Sequence, residues 1–175
     1  MNTDNWFDLC GEFIEGTACV KLCDKWNFIG NDGKVLSDGW FDCIWCFHNG
    51  FGRVRLDGKW NYIDKNGKLL SDVWVDWCAA FYDGFGFVGL NGKTNYIDKD
   101  GKVLSDVWFD NCGYFYEGFG RVELNRKQNY IGKDGKVLSD VWFDRCEVFI
   151  EGFGRVRLGT KWSYIDKEGV LHEYR

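Results

Sequence analysis

A phenylalanine followed two positions later by an acidic-Gly or Asn-Gly pair returns every 34 residues, at Phe13, Phe47, Phe81, Phe115 and Phe149. The interval never changes, so no unit carries an insertion or a deletion. A strict tandem period of this size restricts the fold more than any other feature of the chain. One short unit cannot bury an apolar face alone, and units must pack on their neighbours. Five units starting at those phenylalanines make one repeat domain over residues 1–175, in which residues 1–12 supply the closing part of the last unit.

Within a unit the signals are those of a strand meander. Gly52-Arg53-Val54-Arg55-Leu56 alternates strictly, placing Val54 and Leu56 on one face and the two arginines on the other. Asp57-Gly58 predicts a two-residue type I′ hairpin, which needs positive φ at both central positions. Lys59 to Asp64 is the second strand, Asn66-Gly67 a second tight hairpin, and Lys68-Leu69-Leu70 a short third strand. Val73-Trp74-Val75-Asp76 is a fourth strand or an irregular crossover. No window shows a helical apolar period uninterrupted by Gly pairs. Aromatic residues at 19%, with 23 Gly and no Pro, fit short strands joined by tight turns.

The expected class is therefore all-β: five tandem 34-residue meander units. Trp6-Phe7-Asp8-Leu9-Cys10 matches the end of a unit, and the unit that begins at Phe149 lacks that end. Joining the two closes a small five-bladed propeller-like ring, the favoured arrangement; an open twisted β array is the alternative. The ring reading expects Trp6 to share the packing environment of Trp40, Trp74, Trp108 and Trp142, and the N-terminal segment to pair beside the last unit.

Lys59-Trp60-Asn61-Tyr62-Ile63-Asp64, Asn66-Gly67-Lys68, the following Trp-Val-Asp and Asp83-Gly84 together resemble the bacterial WG-repeat family. The resemblance covers almost the whole chain and implies an all-β binding module. The name-giving glycine is replaced by Asn27, Asn61, Asn95, Asn129 and Ser163, and the usual proline before the aromatic-aspartate by Leu-Ser-Asp. Asn tolerates the left-handed region better than most residues, so the exchange is expected to preserve a bent strand.

Each recurrent residue has a structural reading beside a functional one. The five repeated Trp read as inter-unit packing residues before they read as stacking platforms. Asp8, Asp42, Asp76, Asp110 and Asp144 read as acceptors for neighbouring turns before they read as a carboxylate girdle. The slot of Trp26, Trp60, Thr94, Gln128 and Trp162 changes chemistry within an otherwise strict repeat, so it is expected to be exposed. With the outward Arg53, Arg121 and Arg155 it forms the candidate partner-binding surface. Arg55 and Arg157 lie on the same strands.

Cys10, Cys78, Cys112 and Cys146 share a position with Ile44 and read as small buried hydrophobes. Cys19, Cys23, Cys43 and Cys46 break the repeat in a loosely zinc-like spacing, yet no bound metal is expected. Only His48 and His172 are present, at unrelated unit positions, and no catalytic pairing or phosphate-binding Gly motif emerges. The expected function is a non-enzymatic binding module without cofactor, most simply for a protein partner. A multivalent glycan-binding protein is the alternative. The net charge of −5 argues against nucleic acid, no apolar run argues for a membrane span, and eight Cys without a leader sequence suit reduced thiols in the cytoplasm.

Overall fold

The computed structural model describes residues 6–173, and the chain divides into two compact bodies, Met1–Phe81 and Tyr82–Arg175. The first holds two antiparallel meanders. They are β1 (Leu9–Ile14), β2 (Thr17–Leu22) and β3 (Lys25–Gly30), then β4 (Cys43–His48), β5 (Phe51–Leu56) and β6 (Lys59–Ile63), followed by the short β7 (Trp77–Cys78). The second opens with the hairpin β8 (Phe85–Leu90) and β9 (Lys93–Asp98). After it come β10 (Asn111–Tyr116), β11 (Phe119–Leu124) and β12 (Lys127–Gly132). A four-stranded sheet of β13 (Arg145–Ile150), β14 (Phe153–Leu158), β15 (Lys161–Asp166) and β16 (Leu171–Glu173) ends it. There is no helix among the described residues.

The turns follow the dipeptides. Asp57 and Gly58 both have positive φ, as do Asn49 and Gly50 at the preceding hairpin. At Asn66-Gly67 only the glycine does, so this is a longer turn rather than a two-residue hairpin. Asp64 caps it: its Oδ1 accepts from the backbone N–H of Asn66 and of Lys68, each at 2.9 Å. The segment beyond it is an isolated bridge, Ile63 to Leu69, instead of a third strand, and only β16 extends this position into a true strand. Val73 to Asp76 is the irregular crossover, anchored by the Trp60–Val75 bridge. Phe13, Phe47, Phe115 and Phe149 thus lie within the first strand of their sheets, not at its start, while Phe81 lies outside any strand.

The asparagines that replace the family glycine do not adopt positive φ, which corrects the bent-strand expectation. They are buried braces. Asn27, Asn61, Asn95 and Asn129 each donate from Nδ2 to the carbonyl of Ser37, Ser71, Ser105 or Ser139 at 2.7 Å. Each also accepts the next residue's N–H at 2.8 Å. The Leu-Ser-Asp crossover that stands in place of proline is therefore held by a buried side chain whose hydrogen bonds are met.

Packing between neighbouring units is aromatic. Phe47 meets Phe28 edge to face with centroids 5.0 Å apart, and Phe81 meets Tyr62 at 4.9 Å. In the second body Phe115 meets Tyr96 at 4.8 Å and Phe149 meets Tyr130 at 4.7 Å. Such pairs contribute about 0.5–1.5 kcal/mol each beyond the area they bury. A bulge in the first strand, between Cys112 and Phe115 and between Cys146 and Phe149, turns the phenylalanine into this contact. The repeated Trp are secondary to it: Trp74 and Trp142 lie half-buried at the margins of the cores.

Trp6 is 82% exposed, unlike the four half-buried later Trp, so it does not share their packing environment. Leu9 to Glu12 open the first sheet, where β1 pairs with β2. Residues 1–5 lie outside the described residues.

The glycines opposite Phe115 and Phe149 are required by close approach. A Cβ at Gly120 would stand 2.6 Å from the Tyr96 hydroxyl and 2.8 Å from Phe115, and at Gly154 2.6 Å from that of Tyr130. Gly120→Ala and Gly154→Ala should each lower unfolding free energy by about 1–3 kcal/mol in urea titrations, as overpacking does. Unchanged midpoints for both would show that these rings yield without cost.

Candidate binding surface

The Trp-Thr-Gln slot lies on the strand that follows a two-residue turn in each sheet, and that turn sets what stands opposite it. Lys21 faces Trp26, Arg55 faces Trp60, Gly89 faces Thr94, Glu123 faces Gln128 and Arg157 faces Trp162. Wherever the slot is Trp, the partner is a cation over the ring. Lys21 Nζ lies 5.9 Å from the Trp26 centroid, the Arg55 guanidinium 5.7 Å from Trp60, and that of Arg157 5.8 Å from Trp162. Gln128 donates from Nε2 to Glu123 at 3.0 Å and accepts the Cys146 N–H at 2.8 Å. Thr94, opposite glycine, turns inward and its hydroxyl donates to the Cys112 sulfur at 3.2 Å. The slot changes in step with its cross-strand partner, which explains its variation.

This arrangement corrects the exposure expected of the slot. Thr94 is buried, 7% exposed, and Trp26, Trp60, Gln128 and Trp162 are half-buried. The arginines named with the slot divide between two tasks. Arg53 and Arg121 reach the carbonyls of Cys78 and Cys146, at 3.2 and 3.1 Å, and brace the backbone. Arg155 stacks 4.1 Å from the Trp162 centroid, so Trp162 carries two guanidinium groups. Among the cation–aromatic partners missing from the expected surface are Trp45, 5.2 Å from Arg53, and Arg55 as the cation over Trp60. The second was legible, because a turn at 57–58 fixes residue 55 opposite residue 60. Trp162 also borders an open groove of about 760 Å³ lined by Val141, Phe143, Val156, Leu158 and Leu171.

The repeated aspartates are fully engaged in structure. Asp42, Asp76, Asp110 and Asp144 take ion pairs from Lys25, Lys59, Lys93 and Lys127. Through Oδ2, Asp42, Asp110 and Asp144 also accept turn N–H groups from Asp57, Asn125 and Gly159. The lysine hydrogen bond, then the turn N–H, hold the carboxyls of Asp42, Asp110 and Asp144 below the ordinary 3.8.

Cys78, Cys112 and Cys146 are buried as expected, and burial raises their thiols to about 12, about 11 and about 12. Cys10 is exposed, because β1 has solvent where the equivalent later strands have packing. Of the four irregular cysteines, Cys19 and Cys46 approach to 3.0 Å between sulfurs, Cys23 sits in a hairpin turn, and Cys43 faces the Ile44 carbonyl. No group of three or more metal-ligating side chains forms among the described residues. His172 Nε2 lies 2.6 Å from Asp166, but the nearby Ser163 hydroxyl donates to the His172 carbonyl rather than to its ring.

A family model described as WG containing repeat matches residues 28–60, 62–93, 96–127 and 130–162. No curated protein matches. Among solved structures, Kluyveromyces lactis Hsv2 is 11% identical, with 92% of this chain and 61% of that chain covered and a TM-score of 0.45. A protein of unknown function from Bacteroides caccae is 11% identical, with 93% and 78% covered and a TM-score of 0.33. The extracellular domain of a putative one-component system from B. thetaiotaomicron is 14% identical, with 98% and 29% covered and a TM-score of 0.40. The chain spans about three fifths of the length of the Hsv2 structures it resembles.

Two measurements check this chemistry. Because the folded aspartates are depressed, their contribution is present above the unfolded carboxylate pKa and is lost as pH falls through the folded one. The melting temperature should therefore hold between about pH 7 and pH 5 and fall below about pH 4, less steeply in high salt. A melting curve that keeps its midpoint below that range would remove the aspartates from the account. A thiol reagent should label Cys10, Cys23 and Cys46 in the native protein, and Cys78, Cys112 and Cys146 only after unfolding. Native labelling of the second group at the rate of the first would contradict their burial.

Proposed function

The chain belongs to the family of WG-containing repeat proteins, and we propose that it is a non-enzymatic binding module for a protein partner. The observation that carries this reading is the set of cation–tryptophan pairs held rigid across neighbouring strands: Lys21–Trp26, Arg55–Trp60, and Trp162 between Arg155 and Arg157. Trp and Arg are the residue types that most often anchor protein interfaces. A sheet presents them with little rotamer entropy left to lose on binding. The half-buried indoles stand beside a positive charge, which suits an acidic or aromatic side chain of a partner.

Replacing Trp60 and Trp162 together by Gln tests the surface, because Gln128 already occupies the same slot in a folded unit. Proteins captured by the wild-type chain are identified by mass spectrometry, and their affinity for both forms is measured by calorimetry. The double variant should remain folded and bind at least tenfold more weakly, about 1.4 kcal/mol. Equal affinity for both forms would move the binding surface elsewhere on the chain. Glycan-array binding without any protein partner would replace this reading with carbohydrate recognition.

A further inference from the structure

The junction between neighbouring units is built from four contacts that recur along the chain, each wholly within one of the two bodies. A lysine pairs with an aspartate 17 positions on: Lys25–Asp42, Lys59–Asp76, Lys93–Asp110 and Lys127–Asp144. The residue after that lysine exchanges two backbone hydrogen bonds with the residue before that aspartate: Trp26 with Phe41, Trp60 with Val75, Thr94 with Phe109, Gln128 with Phe143. The side chains of Phe41, Val75, Phe109 and Phe143 are all buried. The repeat phenylalanine meets the aromatic ring of the unit before it. In two units a hairpin carboxylate accepts the next hairpin's N–H groups: Glu15 from Asn49 and Gly50, and Glu117 from Glu151 and Gly152.

The first and last sheets each present one half of this junction. At the head, Phe13 is 53% exposed although its four equivalents are buried, and Leu9 and Ile14 are exposed beside it. Phe7 occupies the bridging position, and Asp8 the position of the paired aspartates. At the tail, Lys161 and Trp162 occupy the lysine and bridging positions, and neither makes that pair or bridge among the described residues. The groove beside Trp162, of about 760 Å³, borders this bridging position and is walled by Phe143, Val156, Leu158 and Leu171. Glu151 stands at the hairpin position of Glu117.

We infer that the chain binds a second copy of itself head to tail, the Phe7-Asp8 strand and Phe13 of one copy completing the Trp162 groove of the next. Phe7 enters the groove and exchanges backbone hydrogen bonds with Trp162, Lys161 pairs with Asp8, and Glu151 accepts the Glu15 and Gly16 N–H groups. Charge and hydrogen-bond roles are complementary at each point, and the mode reuses the contact that already joins units inside the chain. The interface is heterologous, so it propagates into rings or filaments and not into an isologous dimer. One head residue departs from the repeat. Ala18, itself buried, stands where later units have Gly52, Gly86, Gly120 and Gly154. The inference goes beyond the partner reading and does not depend on it.

Sedimentation velocity of the 175-residue chain over a wide concentration range tests it. The weight-average mass should rise with concentration, and Phe7→Asp or Phe13→Asp should weaken association at least tenfold while far-UV circular dichroism and melting stay near wild type. Asp8→Lys and Lys161→Glu should each weaken association alone and restore it when mixed, since each variant then offers its neighbour an opposite charge at both ends. A monomer at every concentration, including one closed on itself within a single chain, overturns the inference. So does an oligomer indifferent to the two phenylalanine substitutions, or a mixture that associates no better than its components.

Discussion

The edge-to-face meeting of each repeat phenylalanine with the aromatic ring of the unit before it is the contact on which the rest of the structure depends. It requires a glycine on the facing strand, because a methyl there would overlap the ring or its hydroxyl. It requires the bulge that turns the phenylalanine inward. In the units with Tyr62 and Tyr96 it also gives the hydroxyl a partner, the carbonyl of Ala79 or of Gly113 at 2.5 Å. A buried tyrosine that lacked such an acceptor would cost more than the ring contact returns. The strict 34-residue period follows from this: ring, glycine, bulge and acceptor stay aligned only if nothing between them is inserted or lost.

Around that contact the polar residues do structural work at short range. The buried asparagine ties the irregular crossover to the third strand. The repeated aspartate joins a lysine to the turn of the following hairpin, so a single carboxylate fixes two chain segments. These arrangements engage the repeated Asn and Asp side chains, while guanidinium groups stand within 6 Å of the indoles of Trp60 and Trp162. Arg55 and Arg157 keep an Nε buried without a hydrogen bond beside their tryptophans, as expected where a guanidinium is committed to a ring face.

Much of the fold was legible because its determinants are local. Asp57-Gly58 and Asn49-Gly50 state their own φ angles, and the alternation in Gly52 to Leu56 states which face is buried. What was not legible depended on pairing. Nothing within Asn61 or its neighbours reveals that its amide will reach Ser71, and a reading from backbone preference alone assigned it to a bend. The slot of Trp26, Trp60, Thr94, Gln128 and Trp162 looked like free variation because each position was read along the chain rather than across the hairpin. Once residue 55 is set against residue 60, and 123 against 128, the same letters describe matched pairs. The exposure of Trp6 and Cys10 was illegible for a different reason: identical segments acquire different burial according to whether a neighbour covers them.

The cross-strand pairing also bears on how such an array diverges after duplication. A lysine or arginine with tryptophan, a glutamate with glutamine and a glycine with threonine are three solutions to one two-residue problem, and each is solved inside its own hairpin. Two compensating changes five positions apart can therefore convert one solution into another without disturbing the aromatic junctions that bind the units together. Copies of a repeated unit are free to drift in side-chain chemistry one at a time while remaining interchangeable as building blocks, which makes the array a mosaic of independently variable hairpins on a single repeated frame.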